Sequence, residues 1–421
     1  MKKMKVGLVI LFIYLILALA SFKIVPAEDI KNWNYKTYWL KNPRMAPPEW
    51  VNIFGKNLPP TGNLKEEKPG EYVYNFHYDQ PPQDILIIPP ENWSGFVDIT
   101  VLRPDGKSIT LYSGKITGMA STGKSFFVLS DLARQIGINE GISDLVVKGE
   151  GLRILFFRKN GDQWIPIHGD YTFIVNSSSK ITLRVVGKTC GVLGTDSDGR
   201  DILVIFLGGL PQTLLIVFIT ALTTVILGTV TGLLGALSGK LGILIDGFAK
   251  VSSMLPMVPT MILLAPLLGE INYYGTLQIP ISILVFALSL LLFGKVAQNV
   301  RTITMTELSK EHILASRALG GSELWILGKH VLKAVLPYAI SQLILMAAKT
   351  IAIISILGFF NVYFGFNWGE LLTMVVTQRA IYSGAWWMVV PVGVAITGIA
   401  VALLLIKSEI EEKLINPWES L

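Results

Sequence analysis

The chain is 421 residues long, 51% hydrophobic and only 16% charged, where soluble globular proteins carry roughly 25% charged residues. A mean hydropathy of +0.54 excludes an ordinary water-soluble protein. The net charge of +6 comes from lysines and arginines that flank apolar stretches rather than form a basic run, so they read as topology signals and no nucleic-acid partner is expected. A lone cysteine, Cys190, rules out an internal disulfide, and four histidines leave little material for a metal cluster, so no metal site is expected.

The first element is Val6 to Phe22, 17 uncharged residues between Lys5 and Lys23, long enough to cross a bilayer. A cleaved leader is the rival reading, because Ala18-Leu19-Ala20 fits a small-x-small cleavage site, but the apolar run is longer than such leaders carry. Residues 1–22 are therefore read as a retained transmembrane helix with its positive end inside.

Residues 23–69, with Pro47-Pro48 and Pro59-Pro60, read as an extended extracytoplasmic linker. Residues 70–188 read as a β-rich extracytoplasmic domain. Val97 to Arg103 and Lys107 to Tyr112 alternate around a Pro104-Asp105-Gly106 turn, which predicts a hairpin. A second hairpin is predicted at Leu155-Phe156-Phe157, Asn160-Gly161-Asp162 and Trp164-Ile165, with a later pair of strands at Tyr171 to Val175 and Ile181 to Val186. Ser130 to Arg134 reads as a short capped helix. His168-Gly169-Asp170 reads as turn chemistry rather than a catalytic pair.

From residue 189 to 421 the chain reads as a membrane core. Spans are predicted near Pro211 to Leu237, Val251 to Leu268, Leu277 to Gly294, Leu336 to Phe359 and Ala385 to Ile406, which with the first span makes six and puts both termini in the cytoplasm. Short segments on the inner side hold Lys2, Lys3, Lys5, Lys240, Lys250, Lys295, Arg301, Lys310, Arg317, Lys329, Lys333, Lys407 and Lys413, and those on the outer side hold only Arg379, as the positive-inside rule requires. Gly228, Gly232, Gly235 and Gly239 lie on one helix face and predict close helix packing. Pro256, Pro259 and Pro266 fall in the third span, where kinks must be covered by protein or open on a cavity.

A phosphate cradle of the G-x-x-x-x-G-K-[ST] kind is read as absent, with Ser238-Gly239-Lys240-Leu241 the nearest fragment, and there is no G-x-S-x-G elbow. No catalytic residue is expected. The loop 295–333 reads as helix, glycine break, helix. Thr306-Glu307 opens the first helix, Gly320-Gly321 stops it and Ser322-Glu323 caps the second. By its physics alone the pair is a surface-lying linker or a ball for another protein's socket.

Glu311-His312-Ile313-Leu314-Ala315-Ser316-Arg317-Ala318-Leu319-Gly320-Gly321-Ser322, followed by Lys329-His330-Val331-Leu332 and Leu336-Pro337, closely resembles the EAA loop of ABC importer permeases, in the dipeptide, oligopeptide and nickel branch. Leu193-Gly194-Thr195-Asp196-Ser197-Asp198-Gly199-Arg200-Asp201 looks like the GTDxxGRD marker of that branch's C-type subunit, and Trp386-Trp387 at the sixth span is similar too. The sequence departs from the pattern at Leu314 and Ser316, at Lys333 where a proline is expected, and in the large segment before the second span.

The resemblance implies a six-helix polytopic permease of the type I importer kind with an inserted β-rich domain. It would be the transmembrane subunit of an ATP-driven importer for peptides, in a bacterial or archaeal cell membrane, with residues 23–200 extracytoplasmic. The implied partners are a second permease subunit, two cytoplasmic ATPases, an extracytoplasmic binding protein and the bilayer. The chain itself would be no enzyme and hold no cofactor, ATP and magnesium sitting on the ATPases. Glu311, Ala315, Ser316, Arg317, Ala318, Gly320 and His330 would couple to the ATPase. Gly194, Thr195, Asp196, Gly199, Arg200 and Asp201 would form either a capped turn in which Arg200 pairs with Asp201, or part of an outer gate. The alternative function is a membrane-anchored sensor or assembly protein whose β domain binds a ligand or partner.

Lys349 lies about 18 Å along its helix from Pro337 at 1.5 Å per residue, near the middle of a hydrocarbon core about 30 Å thick. It reads either as lining the translocation pathway, as a cation for a peptide carboxylate, or as a cap on carbonyls near Pro256 to Pro259.

Overall fold

A computed structural model describes residues 2–137, 142–161, 163–237, 240–271 and 277–415. The chain forms two compact units, one of Lys31–Leu203 and one of Met1–Ile30 with Val204–Leu421.

The chain begins with the apolar helix Lys2–Ile24 (α1) and the short Ala27–Lys31 (α2). The 31–203 unit then runs through 3-10 turns Lys36–Lys41 and Glu49–Phe54. Seven strands follow: Gly62–Asn63 (β1), Lys65–Lys68 (β2), Glu71–Phe76 (β3), Asp84–Ile88 (β4), Gly95–Leu102 (β5), Ser108–Ile116 (β6) and Ala120–Ser121 (β7). After them come helices Phe126–Ile136 (α3), Ile142–Val147 (α4) and Arg153–Phe156 (α5), and strands Phe157–Asn160 (β8), Gln163–Pro166 (β9), Gly169–Ser177 (β10) and Thr182–Val186 (β11).

These strands make two main antiparallel sheets, ordered β1-β11-β4-β7 and β2-β3-β10-β5-β6, with β8-β9 as a separate hairpin. The alternation in β5 turns Val97, Ile99 and Val101 inward, and β10 adds Tyr171 and Phe173. They meet Phe76 and Phe156, whose rings lie 4.7 Å apart, in one core. Each such side chain contributes ~1.5–3 kcal/mol on burial.

The sheets change three expectations. The stretch expected as a linker carries secondary structure tied to the end of the unit: β1 pairs with β11 through Gly62↔Val185, and Pro60 bridges Thr189. Helix α3 starts four residues before the sequence suggested, because Ser125 rather than Ser130 caps it by accepting from Val128 N. The later strands β10 and β11 lie in different sheets. The second hairpin starts only at Phe157, because Leu155 and Phe156, expected in its first strand, belong to α5; it turns at Gly161, with φ +60°, and Asp162 lies outside the described residues.

The other unit is helical. It comprises Ile202–Gly208 (α6, whose first two residues belong to the β-rich unit), Leu210–Gly235 (α7), Lys240–Met254 (α8), Met257–Leu268 (α9), Ile281–Leu308 (α10), Glu311–Ala318 (α11), Glu323–Ile326 (α12), Leu332–Phe359 (α13), Trp368–Thr377 (α14) and Trp386–Ile415 (α15). Short strands Glu270–Ile271 (β12), Leu277–Gln278 (β13) and Val362–Tyr363 (β14) form a small sheet.

Among the described residues, five helical stretches are long and apolar enough to cross a membrane, and α8 with α9 passes as a sixth only as a pair bent by 100°. The third span, expected as one helix over 251–268, is therefore broken. Pro256 has no N–H to continue α8 and biases Leu255 away from helical geometry. Pro259, in the first turn of α9, and Pro266, in its last, interrupt less.

The small residues of α7 let α10 in: a Cβ on Gly232 would lie 2.6 Å from the Ala297 carbonyl, and one on Gly228 2.6 Å from Val296 Cβ. Gly239 lies outside the described residues. Helix α1 lies along α15, with Tyr14 Oη donating to Ala395 O at 3.0 Å, Met4 N to Glu409 Oε2 at 2.7 Å and Lys3 paired with Glu412 at 2.6 Å.

Candidate functional site

The loop after α10 is a compact helical hairpin. Helix α10 runs on to Leu308, so Thr306-Glu307 closes one helix instead of opening the next. Glu307 holds the joint, with Lys310 Nζ at 2.6 Å and His312 Nε2 at 3.5 Å.

Helix α11 then runs over Glu311–Ala318, with Glu311 in its first turn and Arg317 in its last, as the helix dipole favours. It ends in a Schellman turn, with Gly321 N donating to Ser316 O and Gly320 N to Arg317 O. Gly320 takes φ +91° there. Ser322 caps α12 by accepting from Trp325 N, and Arg317 crosses the turn to Glu323 at 2.9 Å. A π-helical turn, Leu327–Val331, carries the chain into α13.

Buried Ile313 and Ile326 anchor the hairpin, and its tip is apolar and open: Leu319 is 90% exposed and Leu324 71%. The expected coupling residues Glu311, Ala315, Arg317, Ala318 and Gly320 are exposed beside them, with Ser316 half-buried. His330 instead turns back against Trp325 and His312, at ring distances of 5.4 and 5.8 Å. Cavities of about 440 Å³, lined by Ser316, Leu319, Gly320 and Trp325, and about 540 Å³, lined by Met305, Leu308, Arg317 and Glu323, flank the tip. The alignment of Leu319 and Leu324 at the tip was readable from their places either side of Gly320-Gly321. Such an exposed apolar tip on a fixed hairpin suits docking, not catalysis.

The GTDxxGRD segment belongs to the β-rich unit and clasps its beginning. Thr195 Oγ1 accepts from Ala46 N and donates to Pro43 O, while Met45 N donates to Asp196 O and Asn42 Nδ2 to Gly199 O. Gly199, at φ +84°, passes so close to Trp39 that a Cβ would lie 2.7 Å from its carbonyl. Gly194 also takes positive φ.

Arg200, expected to pair with Asp201, pairs with Asp196. Arg200 Nε meets Asp196 Oδ2 at 2.7 Å and its guanidinium lies over Trp33, while Asp201 caps Leu203 N. Asp196 already accepts from the 198 and 200 amides, so its second oxygen is preset for Arg200.

Lys349 sits half-buried on α13 and takes no ion pair or hydrogen bond among the described residues. On α15, Lys407 is paired with Glu411 at 2.6 Å. The structure draws no bond from Lys349 to the Pro256 to Pro259 carbonyls.

One reading of the sequence is corrected outright. Gly118-Met119-Ala120-Ser121-Thr122-Gly123-Lys124-Ser125 matches G-x-x-x-x-G-K-[ST] letter for letter. In a nucleotide cradle the loop amides point at phosphate. Here Asp84 Oδ1 accepts from Thr122 N at 3.1 Å and Gly123 N at 2.6 Å, and Ser121 Oγ donates to Oδ2. Burial pushes the Asp84 carboxyl upward, against the pull of those donors and of Lys124. The Ser125 hydroxyl is spent on capping α3. An internal carboxylate occupies the cradle, and the flanking strands are antiparallel rather than the parallel βαβ arrangement that nucleotide loops need.

Residues 224–418, just under half of the chain, match the family of binding-protein-dependent transport system inner membrane components. The match begins within α7 and takes in the broken α8–α9 pair, the α11–α12 hairpin and α15. No curated protein matches the chain. The match and the helices together support a multi-pass permease of binding-protein-dependent transport.

Proposed function

We propose that the chain is a permease subunit of an ATP-driven importer whose cargo is a peptide. It would form half of the translocation pathway beside a second permease subunit, with two ATPases on the inner side and a binding protein on the outer side. The observation that carries this reading is the α11–α12 hairpin lying inside the matched segment. Its Schellman turn and Arg317–Glu323 bridge fix the exposed Leu319–Leu324 tip in one geometry, so that movement of a docked ATPase is passed to α10 and α13 as a rigid-body displacement.

Helix α1 is read as a retained span, since its contacts run along α15 from Lys3 to Tyr14. The GTDxxGRD segment is read as a clasp within the β-rich unit. ATP and magnesium are assigned to the ATPases, the chain's own G-x-x-x-x-G-K-S loop being filled by Asp84. Both termini are assigned to the cytoplasm and residues 31–203 to the outer face.

Affinity purification of the full chain from its native membrane tests the reading. Co-isolation of two ATPases and a second permease is the expected result. A lone homodimer holding no ATPase would reject it in favour of a membrane-anchored sensor.

A further inference from the structure

The Lys124 side chain, released from phosphate binding by the Asp84-filled loop, lines a cavity of about 820 Å³ in the β-rich unit. Arg44, Lys56, Lys148 and Lys188 line it too, so five cations face one lining carboxylate, Asp79. Arg44, Lys56, Lys124 and Lys148 are exposed and take no ion pair among the described residues. Lys188 is half-buried and held loosely by Glu150 at 3.6 Å, a carboxylate that also serves Arg153 at 2.8 Å. Burial pulls the Lys188 ammonium below the usual lysine range.

Like charges converging on a concavity repel one another and raise the local potential, which draws in counter-ions. The volume lies in the range of small-molecule sites.

The geometry points to a binding site for a compact soluble polyanion, of the polyphosphate or polycarboxylate class, in the cavity between Arg44, Lys56, Lys124, Lys148 and Lys188. Recognition falls to side chains, because the Thr122 and Gly123 amides already serve Asp84 and a Cβ on Gly123 would lie 2.7 Å from Gln83 O. The described lining holds no aromatic residue to stack on a base, so a nucleotide is bound through its phosphates alone. This site does not depend on the permease reading.

Calorimetric titration of the full chain in neutral detergent, at low salt, tests it with sodium tripolyphosphate, ATP and GTP as probes. One saturable site is expected, with the three probes within about threefold of one another. The pair Lys56→Gln/Lys124→Gln is expected to weaken binding roughly five- to tenfold per charge removed. Lys124→Arg should keep affinity, and the exposed pair Lys65→Gln/Lys107→Gln, outside the cavity, should leave it unchanged. The variants alter exposed side chains, and an unshifted melting curve for each confirms folding. Non-saturable binding, equal loss in the Lys65/Lys107 pair, or ATP bound far more tightly than tripolyphosphate would each overturn the proposal.

Discussion

Gly320 has φ +91° and a Cβ placed on it would meet nothing within 4 Å, so any effect of substitution there comes from the backbone. Left-handed geometry costs an L-residue ~1–2 kcal/mol, more for a β-branched one. Gly320→Val is therefore expected to leave the protein assembled in the membrane while loosening the hairpin tip and uncoupling the ATPase. Binding-protein-stimulated ATP hydrolysis in the reconstituted complex is the readout, and a normal rate would remove the coupling role from this turn. Cys190 illustrates the opposite kind of residue. Burial pushes its thiol up to about 12, so at pH 8 only ~10⁻⁴ of it is thiolate, the reactive form. A maleimide added to the folded protein at pH 8 should label it far more slowly than in denaturant, and the rate should keep climbing with pH well past the range where an ordinary cysteine levels off. Fast labelling of the folded chain would show that the β-rich unit opens around Cys190.

Among the helices, glycine decides how closely neighbours approach, and the sign of a substitution can be read from the space around it. A Cβ on Gly294 of α10 would lie 2.3 Å from Ala249 O of α8, whereas one on Gly247 of α8 would touch nothing within 4 Å. Gly294→Ala is expected to destabilise by about 1–3 kcal/mol through overpacking, and Gly247→Ala to stabilise by about 0.5–1 kcal/mol by restricting the unfolded chain. Melting curves in detergent check both, and a shift of the same sign in the two would break the packing account. Lys349 of α13 faces a different test. Lys349→Met should lower peptide uptake without lowering the melting temperature; a lower melting temperature with normal uptake would make it a structural pin instead. The long apolar helices were legible because crossing a bilayer demands long apolar runs, which few other constraints imitate. The break in the third was not, because three prolines competed for it and only Pro256 fell between two turns. The end of α10 was misplaced because Thr306-Glu307 has the composition of a cap, while burial of Thr304 and Glu307 carries the helix past it. The G-x-x-x-x-G-K-S octet was fully legible as letters, but its meaning depended on Asp84, 34 positions before Gly118 and brought there only by pairing of β4 with β7.

At the scale of the whole molecule, the boundaries of the β-rich unit decide which deletion can be interpreted. Cutting at 70 and 188 leaves β1 without its partner β11, and removes both Arg184, which donates to Lys41 O at 2.9 Å, and Gln83, which accepts from Arg44 N at 3.3 Å. That deletion should yield little folded protein, whatever the unit does. The interpretable cut replaces residues 31–203, the compact unit, by a flexible Gly/Ser linker. With the permease core intact, this variant is expected to co-purify with its ATPases and to keep basal ATP hydrolysis, because the α11–α12 hairpin lies wholly in the other unit. Peptide uptake should fall if, as proposed, the unit faces outward and takes part in import. Uptake assays in cells, together with binding-protein affinity for the reconstituted complex, separate the outcomes. Loss of uptake with weakened affinity locates a contact with the binding protein on the unit, and loss with unchanged affinity assigns it another part in import. Unchanged uptake and unchanged affinity would reduce residues 31–203 to a spacer, leaving the anion cavity as the one activity assigned to them.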